Sequence, residues 1–416
     1  MRILMLSWEY RPRIVGGIAR HVEELAWSLA KIDGLEVHVV TCEFPGAPSE
    51  EVTRGVHIHR VAPYGDSHND FFHWIHQLNH AMRDRSRELI KQWLAPSTKR
   101  GKAKDPKKLS ETDGIILHPH DWLSHFAAAD LKYEFKLPVV ATIHATESGR
   151  NNGIYSETNR YINSIEERLT HEAWRVIVCS HYMRGEVGFA LHTPWDKVDI
   201  IYNGVEAAKF DFEFSDRDAT AFRSKFALPN EKIVMFVGRG VREKGCQVLI
   251  DAFPEVRAQY HDVKLVIAGG GNRQHLINLA ELLGISPHVL FTGFIPDDDL
   301  LRLYKVADVA CFPSLYEPFG IVALEAMAAK IPVVVSNAGG LPEVVDAGTT
   351  GIVTECDNAH SLAAGIVRVL KEPGYARYMA VNALESVQTI FNWDRIAAQT
   401  NHVYQRVWSE YRASNW

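Results

Sequence analysis

The sequence predicts an α/β protein with two doubly wound, Rossmann-like parallel-sheet domains. Three observations carry this reading. Short apolar runs recur along nearly the whole chain, separated by stretches of helical periodicity. The runs are apolar at consecutive positions, the mark of strands buried on both faces with helices as crossovers. The chain has 416 residues, more than one ordinary core serves.

The elements follow in order. In the first half the strand-like runs fall at residues 3–7, 37–41, 115–117, 139–143 and 176–179. A further strand at 198–202 leads into Asn203-Gly204-Val205, where the domain boundary is placed. The polar stretch 206–231 reads as the connection between domains. In the second half the runs fall at 233–237, 263–268, 289–292, 309–312 and 332–336. Residues 393–416 carry a helical apolar pattern. The predicted organisation is a first domain at 1–203, a second at 204–392 and a closing helix at 393–416.

Hydrophobic residues make up 46% and charged residues 23%, the balance of a soluble globular protein. A net charge of −6 argues against nucleic acid as a partner. Cys42, Cys179, Cys246, Cys311 and Cys356 are scattered and odd in number. Cys42, Cys179 and Cys311 lie in apolar runs and read as small core residues in a reducing compartment. The apolar run at 1–7 meets Glu9 and Arg11 at once, so it reads as a first strand, too short for a signal peptide or membrane span. A cytoplasmic protein is expected. The basic run Lys99-Arg100-Gly101-Lys102-Ala103-Lys104-Asp105-Pro106-Lys107-Lys108 reads as a solvated loop, with peripheral membrane or polyanion contact as its alternative. His73, His76 and His80 share one helix face without a Cys or carboxylate at ligand spacing. They read as an aromatic and imidazole surface facing an acceptor sugar, or as part of a half-buried helix.

The chemistry concentrates in Glu317-Pro318-Phe319-Gly320-Ile321-Val322-Ala323-Leu324-Glu325. This segment runs from a strand into a helix, with Glu317 on the loop and Glu325 about two turns into the helix. Gly320 lets the backbone approach a ligand, and the free N–H groups of the first helical turn attract anions. A carboxylate on each side accepts hydrogen bonds from vicinal hydroxyls. The set suits a sugar diphosphate nucleotide; two solvated Glu on an ordinary βα unit are the plain alternative. Upstream, Phe236-Val237-Gly238-Arg239-Gly240-Val241-Arg242-Glu243-Lys244-Gly245 sets Arg239 and Lys244 around a turn after a strand. An Arg grips phosphate bidentately and a Lys adds a compact charge. Downstream, a buried strand runs into Gly339-Gly340-Leu341-Pro342-Glu343, and Gly16-Gly17 follows the first strand.

These four motifs, in this order and spacing, make nearly the whole chain resemble the retaining glycosyltransferases of family 4. The resemblance implies the GT-B architecture, with an active site in the cleft between the two domains and a terminal helix crossing back onto the first. It implies that Glu325 binds the ribose hydroxyls and Glu317 the 3- and 4-hydroxyl side of the donor sugar. Arg239 and Lys244 then hold the diphosphate, helped by backbone at Phe319-Gly320. The Gly16-Gly17 loop closes over donor and acceptor, and Arg20 and His21 face the cleft.

His118-Pro119-His120-Asp121-Trp122 resembles the His-Asp-Trp segment of bacterial glycogen and starch synthases. Asp121 then lies near the acceptor; its alternative is a helix N-cap. His144, ending a strand, touches the 6-hydroxyl of the transferred sugar in family members, or packs against backbone. Gly269-Gly270-Gly271 and Gly293-Phe294-Ile295 mark tight turns, with Gly270 on the donor side and Ile295 holding the base through its backbone.

Fixed cations here take the part a metal plays elsewhere, and no Asp-x-Asp pair is placed as a metal ligand after a strand. No metal and no cofactor are expected; the nucleotide sugar is a substrate. The expected activity is retaining transfer of a hexose, glucose, from a UDP- or ADP-sugar to a carbohydrate acceptor. Glucan, sucrose-type, lipid-linked and exopolysaccharide acceptors all fit. The rivals are a non-catalytic nucleotide-sugar-binding protein and a phosphorylase or epimerase on the same scaffold. No lysine stands out for the pyridoxal phosphate that a glycogen-phosphorylase-like enzyme needs.

Overall fold

The computed structural model describes residues 1–65, 70–96 and 103–416. Its strands are β1 (Arg2–Ser7), β2 (Glu36–Cys42), β3 (Glu50–Thr53), β4 (Val56–Val61), β5 (Ile115–Pro119), β6 (Val140–Ile143), β7 (Arg175–Val178), β8 (Val198–Ile200), β9 (Lys232–Val237), β10 (Val263–Ala268), β11 (Val289–Gly293), β12 (Val309–Phe312), β13 (Val333–Ser336) and β14 (Ile352–Thr354). The chain forms two compact units, Met1–Tyr202 with Trp393–Trp416, and Asn203–Asn392.

In the first unit the strands run β3-β4-β2-β1-β5 in one sheet and β6-β7-β8 in another. Parallel bridges from Leu117 to Val139 and from His120 to Thr142 join the two edges. All pairs are parallel except the β3-β4 hairpin. Ile3, Leu4, Met5 and Leu6 of β1 are fully buried at consecutive positions, as a strand covered on both faces requires. The helix Trp393–Ala413 packs back into this unit through Tyr404, Trp408 and Tyr411, all buried. Gly114 makes room for it: a Cβ there would stand 2.6 Å from Trp408 Cε2.

The second unit is one parallel sheet ordered β11-β10-β9-β12-β13-β14. Numbered within the unit, this is the order 3-2-1-4-5-6 of the dinucleotide-binding fold. Its direction reverses between β9 and β12. In the first unit the reversal falls between β1 and β5. Open α/β sheets present ligands at the carboxyl ends of the strands flanking such a reversal, so the loops after β1, β5, β9 and β12 are the places to look.

Three expectations need correction. Residues 206–231 are no linker: they belong to the second unit, with Phe210 and Phe222 buried and Phe210 edge-on to Tyr304 at 5.8 Å. Arg223 ties this segment down by donating to the Glu231 carbonyl at 2.6 Å and pairing with Asp308 at 2.8 Å. The hairpin β3-β4 and the short β14 lay outside the predicted strands. The helix after β12 spans Ile321–Ala328, so Glu325 stands little more than one turn inside it, not two. Of the basic run, residues 99–102 lie outside the described residues. Lys107 beyond them donates to the Ser414 carbonyl at 2.6 Å and stands 5.4 Å from the Tyr411 ring centroid, so it anchors the last helix and is not a free loop cation. Cys42, Cys179, Cys246 and Cys311 are buried and Cys356 is half-buried. Among the described residues no helix is long and apolar enough to cross a membrane.

Candidate active site

The loops after β9 and β12 in the second unit meet through charge and glycine. Lys244 Nζ donates to Glu317 Oε2 at 2.8 Å, joining residues 73 positions apart. Ser314 Oγ donates to the same oxygen at 3.3 Å. The Glu243 carbonyl accepts the N–H groups of Leu315 and Tyr316 at 2.8 and 3.2 Å, binding the two loops along their backbones. Gly245 is required where they touch: its φ is +67°, and a Cβ would meet the Pro313 carbonyl oxygen at 1.8 Å. Gly339 and Gly340 close the other side. The Gly340 N–H donates to the Glu317 carbonyl at 2.8 Å, and a Cβ on Gly339 would stand 2.0 Å from that same oxygen. Glu317 is thus buried and held through both backbone and side chain.

The other residues expected here are arranged more loosely. Arg239 is exposed, with Glu243 at 3.3 Å. The Gly240 N–H beside it donates to the Gly270 carbonyl at 3.1 Å, tying this loop to the exposed turn at Gly270. Gly320 caps the helix Ile321–Ala328 with φ +111°. Phe319 is buried edge-on to Phe391 at 6.0 Å and acts as packing. Glu325 is half-buried and accepts from the Tyr304 hydroxyl at 3.1 Å. Ile295 follows β11, half-buried beside the exposed Phe294. Sequence reading missed Ser314, whose hydroxyl carries no motif, and Arg273. The Arg273 guanidinium stands 2.9 Å from where a Cβ of Gly293 would be, and its buried Nη1 has no hydrogen-bond partner among the described residues.

In the first unit the site is built from imidazoles and buried carboxylates. Gly16 caps the helix Gly17–Leu29, and neither it nor Gly17 has a positive φ. The loop is shaped by Glu9, whose buried carboxylate accepts the Val15 and Gly16 N–H groups at 2.5 and 2.9 Å. Burial raises the Glu9 pKa, and those two hydrogen bonds oppose the rise. Arg20 is half-buried on the helix that follows.

Asp121 has φ +59° and no side-chain capping bond, so the N-cap alternative fails. Its carboxylate accepts the His144 backbone N–H at 2.7 Å, with Arg150 at 3.8 Å. Burial pushes its pKa up to about 6, with Arg150 and the His144 N–H opposing. His144 does not pack against backbone: its Nε2 lies 3.1 Å from Nδ1 of His120, and its ring centroid 4.6 Å from that of His21. Burial holds its pKa down at about 3, assisted by Arg150, so the ring is neutral at ordinary pH. His120 is held well below its ordinary value by burial as well. Behind it His118 is locked by the Tyr404 hydroxyl at 2.6 Å and Thr142 Oγ1 at 2.7 Å. Glu166, buried, accepts the Glu147 N–H through both oxygens at 3.0 Å, and burial raises its pKa to about 8. Glu9, His120 and Glu166 were not singled out from sequence as site residues.

Of the helix-face histidines, His76 meets the Tyr161 hydroxyl at 2.9 Å and the Phe126 ring at 4.4 Å, while His73 and His80 are exposed. They form no cation-holding group. Two groups among the described residues have that geometry: His21 with His120 and His144, and Glu36 with His38 and His57.

Comparison with known proteins bears on the family and the fold. Residues 15–209 match the family described as "Glycosyltransferase Family 4" and residues 218–386 match "Glycosyl transferases group 1". An uncharacterized glycosyltransferase of Methanocaldococcus jannaschii is 40% identical over 97% of this chain and 98% of its own. A glycogen synthase of Mycobacterium tuberculosis is 35% identical over 97% of this chain and 94% of its own. Among solved structures, a sucrose-phosphate synthase from Thermosynechococcus elongatus superposes with a TM-score of 0.79 at 25% identity, covering 98% of this chain and 99% of that one. With the two parallel sheets of the fold, these matches establish that the chain is an enzyme of glycosyltransferase family 4, built on the GT-B fold.

Proposed function

We propose that this enzyme is a retaining, metal-independent hexosyltransferase of the cytoplasm, moving glucose from a UDP- or ADP-sugar to a carbohydrate acceptor. The observation that carries the reading is the Lys244–Glu317 contact at 2.8 Å, which brings a fixed cation and a buried carboxylate together beside a helix N-terminus. Such a cation stabilises charge developing on a departing diphosphate without needing a metal. Glu317 binds the donor sugar hydroxyls, Arg239 and Lys244 the diphosphate, and Glu325 the ribose. Phe319-Gly320, Gly270 and Ile295 supply backbone on the donor side. Asp121 and Arg20 serve the acceptor, and the neutral His144 accepts or donates a hydrogen bond at the sugar. The Gly16-Gly17 loop, shaped by Glu9, offers N–H groups to donor or acceptor. The acceptor hydroxyl forms the new bond to the anomeric carbon as the carbon–phosphate oxygen bond breaks, and its proton passes to a phosphate oxygen. The relatives named as a glycogen synthase and a sucrose-phosphate synthase support transfer onto a carbohydrate acceptor.

The experiment is a transfer assay in EDTA with UDP-, ADP- and GDP-linked hexoses against glucan, sucrose-type and lipid-linked acceptors. Transfer of glucose from a UDP- or ADP-donor is expected. Strict dependence on added Mg²⁺ or Mn²⁺ overturns the metal-independent assignment.

A further inference from the structure

The first unit holds more imidazole than the transfer reaction uses. One ring nitrogen from each of His21, His120 and His144 lies within 4.8 Å of the other two. His120 Nδ1 and His144 Nε2 are 3.1 Å apart, close to the spacing of about 3.3 Å that two nitrogens take on one tetrahedral zinc. The other nitrogen of His120, Nε2, is buried with no hydrogen-bond partner among the described residues. The shell behind the three rings is set: His118 lies 4.3 Å from His120, ring to ring, and Asp121 fixes the His144 backbone. His144 is partly exposed and opens the cluster to solvent.

We propose that His21, His120 and His144 form a site for a borderline divalent transition ion such as zinc, and that the bound ion inhibits transfer by occupying His144. Three imidazoles with an open fourth position suit zinc, cobalt, nickel or copper. They do not suit Mg²⁺ or Ca²⁺, which take oxygen ligands. The inhibitory half rests on the proposed contact between His144 and the donor sugar; the binding half does not.

Zinc is titrated into EDTA-dialysed full-length protein against a chromophoric chelator, and Co²⁺ into the same protein while visible absorption is read. One equivalent with tetrahedral Co²⁺ bands is expected. His21→Gln and, independently, His120→Gln are expected to weaken zinc by about tenfold or more. His57→Gln, in the other candidate cluster, is expected to leave it unchanged. Absence of stoichiometric binding, or binding lost in His57→Gln and kept in His21→Gln, overturns the site. In a transfer assay, zinc is expected to inhibit, Mg²⁺ not, and EDTA to restore activity. Stoichiometric zinc without inhibition overturns the inhibitory half, while failure of every donor to react leaves the binding result standing and counts against the proposed function instead.

Discussion

In the second unit the loops at the sheet reversal meet through a lysine and a carboxylate, with glycines where backbones touch. In the first unit the corresponding loops meet through buried imidazoles and carboxylates that burial drives toward their neutral forms. Apart from the hairpin strand β3, the two sheets share the strand order up to the reversal, so topology alone does not choose the chemistry. Burial does. Partly exposed Lys244 pairs with the Glu317 carboxylate, whereas the desolvated imidazoles of His120 and His144 shed their protons and can only exchange hydrogen bonds. Under the proposed function, the departing diphosphate is handled by the second unit and the acceptor by the first.

The largest test of that contrast is Lys244→Ala, expected to lower kcat by about 10²- to 10³-fold, as loss of a transition-state stabiliser does. Steady-state kinetics with calorimetric UDP and ADP affinities separates this from simple loss of binding. A kcat within threefold of wild type would erase the contrast. Next comes Glu325→Ala, which under the proposed function removes hydrogen bonds to the ribose and is expected to weaken UDP or ADP about tenfold or more. Calorimetry on the folded variant checks it, and unchanged affinity puts the ribose elsewhere.

The smallest effect concerns Glu166 in the first unit. Its folded pKa, about 8, lies above the ordinary carboxylate value. Between roughly pH 4.3 and 8 the folded state therefore binds more protons than the unfolded one, and stability falls as pH rises through that window. Glu166→Gln keeps an acceptor for the Glu147 N–H and removes this titration. Denaturant melts from pH 5 to 8 are expected to show a shallower loss of stability in the variant; identical slopes would mean Glu166 is ionised in the fold.

The sheets were legible where strands are buried on both faces, because runs such as 176–179 and 309–312 carry no polar interruption. The hairpin was not. In β4 buried His59 and Arg60 look solvent-facing until Glu50 and Glu51 of β3 pair with them. The segment 206–231 looked like a linker because its few aromatics are spaced among charges, and only the fold shows Phe210 and Phe222 turned inward. In the site, the motif residues were legible, but their pairings are tertiary. Nothing local marks Lys244 for Glu317, Asp121 for the His144 backbone, or Glu9 for the glycine loop.

The central claim is that fixed cations carry the departing diphosphate while no base stands ready on the opposite face, so attack comes from the leaving-group side. An α-linked donor then gives an α-linked product. The coupling constant of the new anomeric proton, read by NMR early in the reaction, measures this directly. A small coupling typical of an α-glucoside is the expected result; the large coupling of a β-glucoside from an α donor would contradict both the mechanism and the roles given to Glu317, Arg239 and Lys244.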